Sequence, residues 1–269
     1  MSIKYVASQE YFCLIFQNCT SIFKIGQHSM SNNKKVIVTG ASRGIGEAIC
    51  IRLLKQNYSV LAICRSTPNI PGVEHIVCDL GDCTDRINVF KSLGDHGPIY
   101  GLVNNAGVAT PNLLQDFDPD IYNTVMSINA TAVAELSAAV VPSMIQNKSG
   151  RIINISSELI LGFATRTAYS ASKAAVSSFA RTWALELGQY NICCNAIAPG
   201  PVETDLFLKN NPAGSAVRQG KLDKIPLGRF GKPDDIANMT NYLMSDEAAF
   251  LTGQTIYVCG GSSLGSVSF

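Results

Sequence analysis

From Lys35 onward the sequence alternates short apolar runs with longer stretches of helical period, and few folds accommodate that rhythm. Val36-Ile37-Val38, Ser59–Cys64, His75–Cys78, Ile99–Val103, Arg151–Ile155, Ile192–Ile197 and Thr255–Val258 read as strands. Between them Gly44–Gln56, Asp82–Leu93, Asp118–Gln146 and Thr167–Gln189 read as helices, with further helical stretches near 203–210 and 233–245. Pro142 is expected to bend or end the third of these helices. The link Thr67–Gly72 carries Pro68 and Pro71 and is too short for a helix. Strands that are apolar almost throughout are buried on both faces. The expected fold is therefore α/β: a single-domain, doubly wound parallel sheet of the Rossmann type, with helices on both faces.

No repeat, low-complexity tract or linker divides residues 31–269, which read as one domain. Residues 1–30 read as an N-terminal extension, either disordered or the product of a start upstream of Met30. Its apolar run, Tyr11–Phe16, is too short for a signal sequence or a membrane span.

Lys plus Arg number 21 and Asp plus Glu 20, a net charge of +1. That balance excludes the basic footprint of a nucleic-acid binder and a polybasic membrane patch. Charged residues are only 15% of the chain, against roughly 25% in an ordinary soluble domain. The nine cysteines include no C-x-x-C, and most sit in or beside apolar runs. They read as reduced core thiols, with no metal site, in a cytoplasmic protein. His28, His75 and His96 lie far from any serine or cysteine motif, which argues against a histidine-based hydrolase.

Two motifs point to chemistry. Thr39-Gly-Ala-Ser-Arg-Gly-Ile-Gly46 falls where the first strand turns into the first helix. Glycines there let the backbone approach a pyrophosphate, and the helix N-terminus offers N–H donors. A tight turn needing glycine only for packing would look the same, since the spacing is not the common G-x-G-x-x-G. Tyr169 and Lys173 stand one turn apart on one helix face. A neighbouring ammonium favours the phenolate and makes a tyrosine usable as an acid/base near neutral pH. Taken alone, the pair is also what an amphipathic helix with an incidental Tyr and Lys presents.

Taken in order, the motifs resemble the short-chain dehydrogenase/reductase family over about residues 35–269. The glycine turn matches that family's T-G-x-x-x-G-x-G, and Asn104-Asn-Ala-Gly107 its N-N-A-G. Asn129 falls at its helix asparagine, Asn154-Ile-Ser-Ser157 precedes Tyr169-x-x-x-Lys173, and Pro199-Gly-Pro-Val-Glu-Thr204 matches the stretch that closes over the nicotinamide. The resemblance implies an oxidoreductase in which Tyr169 exchanges the proton with the substrate oxygen and Ser157 polarises the carbonyl. Lys173 would hold the nicotinamide ribose, and Asn129 would support a water path to Lys173. Family spacing from the tyrosine points to Ser156, whereas the strand alignment points to Ser157, which is preferred here. Cofactor contacts are implied for Gly40, Ser42, Arg43, Gly44, Ile45, Gly46, Arg65, Asp79, Leu80, Asn105, Ala106, Gly107, Tyr169, Lys173, Pro199, Gly200, Val202 and Thr204.

The second strand ends in Ala62-Ile-Cys-Arg-Ser66, without the acid that accepts the ribose hydroxyls of NAD. Arg65 and Arg43 suit a 2′-phosphate instead, so NADP(H) is the expected cofactor, with NAD(H) not excluded. Lys224–Gly231 and Leu251–Gln254 resemble the 3-oxoacyl-[acyl-carrier-protein] reductase branch, implying reduction of a 3-oxoacyl thioester. Leu185 stands where that branch carries a docking arginine, which weakens the case for an acyl carrier protein partner. The alternatives are an NAD(P)-dependent dehydrogenase of a small secondary alcohol or dihydrodiol, and a non-catalytic dinucleotide-binding sensor. The low charge, together with apolar residues all round the helices near 118–146 and 167–189, points to subunit contacts, and the family resemblance implies that these helices build a homo-oligomer, a tetramer or a dimer.

Overall fold

The computed structural model describes residues 34–265; the extension expected at 1–30 lies outside the described residues. Seven strands form one parallel sheet: β1 (Lys35–Thr39), β2 (Ser59–Cys64), β3 (Glu74–Val77), β4 (Ile99–Asn104), β5 (Gly150–Ile155), β6 (Ile192–Pro199) and β7 (Thr255–Val258). Their order is β3-β2-β1-β4-β5-β6-β7. The chain therefore reverses direction across the sheet between β1 and β4, and the loops leaving those two strands diverge. A crevice opens at that point, on the carboxyl side.

The helices are α1 (Gly44–Lys55), α2 (Cys83–Ser92), α3 (Pro119–Met126), α4 (Ala132–Asn147), α5 (Thr167–Leu187), α6 (Asp205–Asn210), α7 (Ala216–Leu222) and α8 (Pro233–Met244). Alternate strand residues feed two cores, as the period of two requires. Val36, Val38, Val60 and Ala62 meet Ile49 and Leu53 of α1 and Ile236 and Leu243 of α8. Ile37, Leu61, Ile63 and Leu102 meet Leu136 and Val140 of α4 and Leu187 of α5. Each of these buried Leu and Ile side chains contributes roughly 1.5–3 kcal/mol. Cutting Leu102 to Ala is expected to cost about 2–5 kcal/mol.

The helix expected over Asp118–Gln146 is interrupted, and by Asn129 rather than by Pro142. A π turn spans Ser127–Thr131 between α3 and α4. Pro142 sits inside α4, which continues until Lys148 takes a left-handed conformation (φ 47°). A π turn is commonly found where a helix must aim a functional side chain, and this one carries Asn129 inward. Pro119–Asn147 is long and apolar enough for a membrane span by composition. It instead buries Val133, Leu136, Val140 and Met144 against the sheet as a core helix. The sequence gives no sign of α7, because Gly220 in its middle weakens the helical signal. Ser215 caps its first turn, and the Arg218 guanidinium lies 4.6 Å over the Phe230 ring and is ion-paired to Glu203.

Candidate active site

At the carboxyl end of β1 the buried Thr39 hydroxyl accepts the backbone N–H groups of Asn105 (2.9 Å) and Ala106 (3.0 Å). The Asn105 amide donates back to the carbonyls of Thr39 (2.9 Å) and Gly40 (3.2 Å). These bonds lock the loop after β4 to the turn after β1 at the point where the sheet reverses. A Cβ at Gly46 would stand 2.3 Å from the Gly40 carbonyl oxygen, and one at Gly40 would stand 2.9 Å from Ala106 Cα. Gly40 and Gly44 have positive φ, 64° and 59°. The turn is thus drawn in too tightly for side chains, and the α1 N-terminus opens directly behind it.

A cleft of about 590 Å³ lies over this turn. Gly40, Ser42, Arg43, Gly44, Ile45, Gly46, Arg65, Asp79, Leu80, Asn105, Ala106, Gly107 and Thr204 all line it. Arg43 and Arg65 are exposed on its rim, and neither makes an ion pair among the described residues. Asp79 is held by its own loop, its carboxylate accepting the Gly81 N–H at 2.9 Å. Pro199, Gly200 and Val202 lie outside the lining. Gly200 N–H bonds the Val258 carbonyl at 3.0 Å, and Val202 bridges to Gly231, so these residues fix the turn that delivers Thr204. The Thr204 side chain caps α6. A pocket at a helix N-terminus, walled by glycine backbone and rimmed by two free guanidiniums, fits a phosphorylated dinucleotide.

Tyr169, Lys173, Ser157 and Asn129 lie beside the cleft rather than in its lining, so Tyr169 and Lys173, expected as cofactor contacts, stand outside it with Pro199, Gly200 and Val202. Gly107 joins the two regions: a Cβ there would stand 3.2 Å from Lys173 Nζ and 3.3 Å from Asn129 Oδ1. Asn129 is fully buried; its carbonyl accepts Val108 N–H at 2.9 Å, and its amide donates to the Val108 carbonyl (2.9 Å) and Ser172 Oγ (3.0 Å). Lys173 Nζ donates to the Ile155 carbonyl at 2.7 Å and lies 5.9 Å from the centre of the Tyr169 ring. Burial lowers the Lys173 ammonium to about 8. Burial also raises the Tyr169 phenol above its ordinary value, while hydrogen bonding to the Ser157 side chain and the charge of Arg166 pull it down. In this arrangement Lys173 is directed at Ile155, and Ser157 and Arg166 are the groups that act on the phenol.

The two serines part ways. Ser156 Oγ is enclosed by the Lys173 carbonyl (2.9 Å) and Ser177 Oγ (2.7 Å), while Ser157 Oγ faces Tyr169 and accepts only the Leu159 N–H, at 3.2 Å. Alternation along β5 and its continuation turns one hydroxyl into α5 and the other toward the phenol.

The comparisons with known proteins agree with this geometry. A family model described as enoyl-(acyl carrier protein) reductase matches residues 40–263. The 3-oxoacyl-[acyl-carrier-protein] reductase of Thermotoga maritima is 36% identical over 242 residues, covering 85% of this chain and 97% of that protein. The chain belongs to the short-chain dehydrogenase/reductase family. It is an oxidoreductase of the class acting on CH–OH and C=O groups. L-Xylulose reductase of Caenorhabditis elegans is 34% identical, covering 86% of this chain and 96% of that protein. A crystal structure assigned provisionally as an NAD(P)-dependent gluconate 5-dehydrogenase, from Beutenbergia cavernae and holding NADP at low occupancy, superposes with a TM-score of 0.82 at 31% identity. It covers 86% of this chain and 97% of that one.

This short-chain dehydrogenase/reductase also carries site residues that the motifs do not announce. Cys64, Ser66, Cys78, Val108 and Ile128 line the cleft, and each flanks a motif position closely enough that strand or turn geometry brings it along. No motif singles out Arg166, which is half-buried at the entrance to α5, three residues before Tyr169, where its charge acts on the phenol. Among the described residues no cluster of His, Cys, Asp and Glu is arranged to hold a metal ion.

Proposed function

We propose that this protein is an NADPH-dependent reductase that converts a ketone to a secondary alcohol, with a 3-oxoacyl thioester as the first substrate class to test. One observation carries the reading: the Tyr169–Ser157–Lys173–Asn129 cluster abuts the glycine cleft through Gly107, so a carbonyl bound beside Tyr169 lies next to the cofactor pocket. The 3-oxoacyl reductases at 34–36% identity support the thioester. When bound, the reduced nicotinamide supplies the hydride. Ser157 Oγ donates to the substrate carbonyl oxygen, and Tyr169 Oη delivers the proton to the same atom. Lys173 holds the ribose hydroxyls, and Asn129, fixed by Val108 and Ser172, supports the route by which Lys173 is reprotonated. Arg43 and Arg65 take the 2′-phosphate that distinguishes NADPH from NADH, and Gly200 and Val202 position Thr204 over the nicotinamide end. The NADP in the Beutenbergia structure is consistent with that choice.

The molecule works as a homo-oligomer built on α4 and α5, in keeping with Leu185 on α5, which is 87% exposed. The buried thiols suit the reducing cytoplasm. The test is a panel of ketones and acyl thioesters with each cofactor, followed at the nicotinamide absorbance. Tyr169→Phe is expected to lower kcat by roughly 10²–10⁴-fold while cofactor binding persists. Arg65→Ala is expected to raise KM for NADPH by roughly ten- to a hundred-fold with little change for NADH. Equal kcat/KM with NADH and NADPH in the unmodified protein refutes the cofactor assignment, and full turnover by Tyr169→Phe refutes the mechanism.

A further inference from the structure

The stretch between Ser157 and α5 is held to the rest of the molecule at few points. Ser157 Oγ accepts the Leu159 N–H, the Ser157 carbonyl accepts the Ile160 N–H at 3.3 Å, and the Leu159 carbonyl accepts the Gly162 N–H at 3.0 Å. These bonds are internal to the stretch. None of residues 158–164 is buried, and Leu161 and Phe163 are exposed. Among the described residues, one hydrogen bond ties 158–164 to a distant part of the chain: Glu158 Oε2 accepts the Ser262 hydroxyl. The next tie comes at Thr165, whose carbonyl accepts the Asn112 N–H at 3.1 Å.

Ser262 is the anchored side of that contact. It opens the short turn Ser262–Leu264 after β7, where its hydroxyl lies 2.9 Å from the Cys259 carbonyl and its N–H donates to the same carbonyl at 3.2 Å. This turn packs on the chain leaving β6: a Cβ at Gly200 would stand 2.7 Å from Cys259 Cα and 3.0 Å from Ser262 Oγ. Gly200 belongs to the turn that delivers Thr204 to the cleft. One hydroxyl therefore touches the serine loop and lies against the cofactor-side turn. Glu158 makes no ion pair among the described residues; burial raises its carboxyl, and the Ser262 bond draws it back. A half-buried carboxyl gives up hydration. What it gains here is a fixed place for the residue next to Ser157.

We propose that Glu158 and Ser262 are positioning residues, a clasp that holds the Ser157 loop against the turn after β7 and so keeps the Ser157 hydroxyl in register with Tyr169 and with the nicotinamide end of the cleft. The clasp acts through Ser157 and touches no reacting atom. It rests on the ketone-reductase reading above and adds to it the means by which one of its groups is aimed.

Ser262→Ala and Glu158→Ala are each expected to lower kcat roughly ten- to a hundred-fold with KM for NADPH little changed, since a catalytic hydroxyl displaced by about an ångström loses its alignment. The double variant should be no slower than the slower single one. Glu158→Gln keeps an acceptor for the Ser262 hydroxyl and should retain most of the rate. In a Ser157→Ala background, Ser262→Ala should lower kcat no further; a merely structural role would leave its effect intact. Amide hydrogen exchange of the NADP-loaded protein supplies a readout independent of turnover. Residues 158–164 should exchange faster in both alanine variants, and at the unmodified rate in Glu158→Gln. Unchanged kcat in both alanine variants, or an undiminished loss in the Ser157→Ala background, overturns the proposal. Absence of turnover on every ketone by the unmodified chain would instead refute the ketone-reductase reading. Exchange would still decide the clasp, which falls if 158–164 is unaltered in both alanine variants.

Discussion

Two lysines at opposite ends of the same sheet are buried in opposite ways. Lys173, at the carboxyl end, is enclosed with no acid partner, and burial brings its ammonium down to about 8. Lys34, just before β1 at the amino end, also loses hydration, but its bond to Asp246 and its contact with Tyr100 outweigh that loss and lift it above its ordinary value. The rest of each end follows the same pattern. At the amino ends most polar groups are paired, Arg151 Nε being buried without a partner among the described residues: the rings of Tyr58 and Tyr100 stack with centres 6.3 Å apart, and both hydroxyls donate to the Met244 carbonyl, at 3.1 and 3.0 Å. Lys34 Nζ stands 4.3 Å over the Tyr100 ring and 2.9 Å from Asp246. At the carboxyl ends Arg43, Arg65, Arg166 and Lys173 make no ion pairs among the described residues. One end of the sheet is built to be stable and the other to receive charge.

Lys173→Met is the strongest test of that division. Turnover should fall by at least roughly 10²-fold. Stability should move the other way. Because the folded value of Lys173 lies below its unfolded one, the folded state at neutral pH carries a penalty for keeping the ammonium charged. The drop from 10.5 to about 8 corresponds to roughly 3 kcal/mol, partly offset by the bond to Ile155, worth about 1 kcal/mol. Between about pH 8 and the ordinary lysine range the unfolded chain binds more protons than the folded one, so this contribution to stability rises with pH. Urea denaturation of the cofactor-free protein should show Lys173→Met more stable at pH 7, with the advantage shrinking above pH 8. A less stable variant at pH 7 would break the comparison at its centre.

Tyr100→Ala tests the other end. Tyr100 is buried, and it carries the stack with Tyr58, the Lys34 contact and one bond to Met244. Its removal should cost roughly 3–5 kcal/mol and lower Tm by about 6–20 °C. The kcat and KM of the molecules that remain folded should be unaltered, since no cleft residue is a ring, ion-pair or hydrogen-bond partner of Tyr100 among the described residues. Altered kinetics at a temperature where the variant is fully folded would mean that the two ends are coupled.

These two ends differ as much in legibility as in energetics. The glycine turn and the Tyr169–Lys173 pair are local devices contained in a few consecutive residues, each ambiguous alone, and it was the family resemblance, with the Asn104–Gly107 loop in its order, that gave them a role. The sheet was readable from apolar strands at regular intervals. The π turn at Ser127–Thr131 was not, since a helix and a helix with one widened turn have nearly the same hydrophobic period, and Asn129 gains its bonds to Val108 only after the chain has folded. The amino-end cluster draws on Lys34, Tyr58, Tyr100, Arg151 and Asp246, scattered over the chain and joined only by strand order.

Asp246→Asn should produce the smallest effect. The ion pair with Lys34 is short, but the Asp246 side chain is 78% exposed, so water screens most of its Coulombic energy. The aspartate lies below its ordinary value chiefly because of the Lys34 bond. A carboxylate with a depressed folded value stabilises the protein above its unfolded value and loses that contribution as pH falls through the folded one. Any destabilisation by Asp246→Asn should therefore be present at pH 7 and vanish in acid. Its size should be about 0–1 kcal/mol, shrinking further in high salt. The aromatic stack and the paired hydroxyls on Met244 then account for most of the amino end's stability. A loss as large as that of Tyr100→Ala would place the ion pair, and not the aromatic packing, at the centre of that end of the sheet.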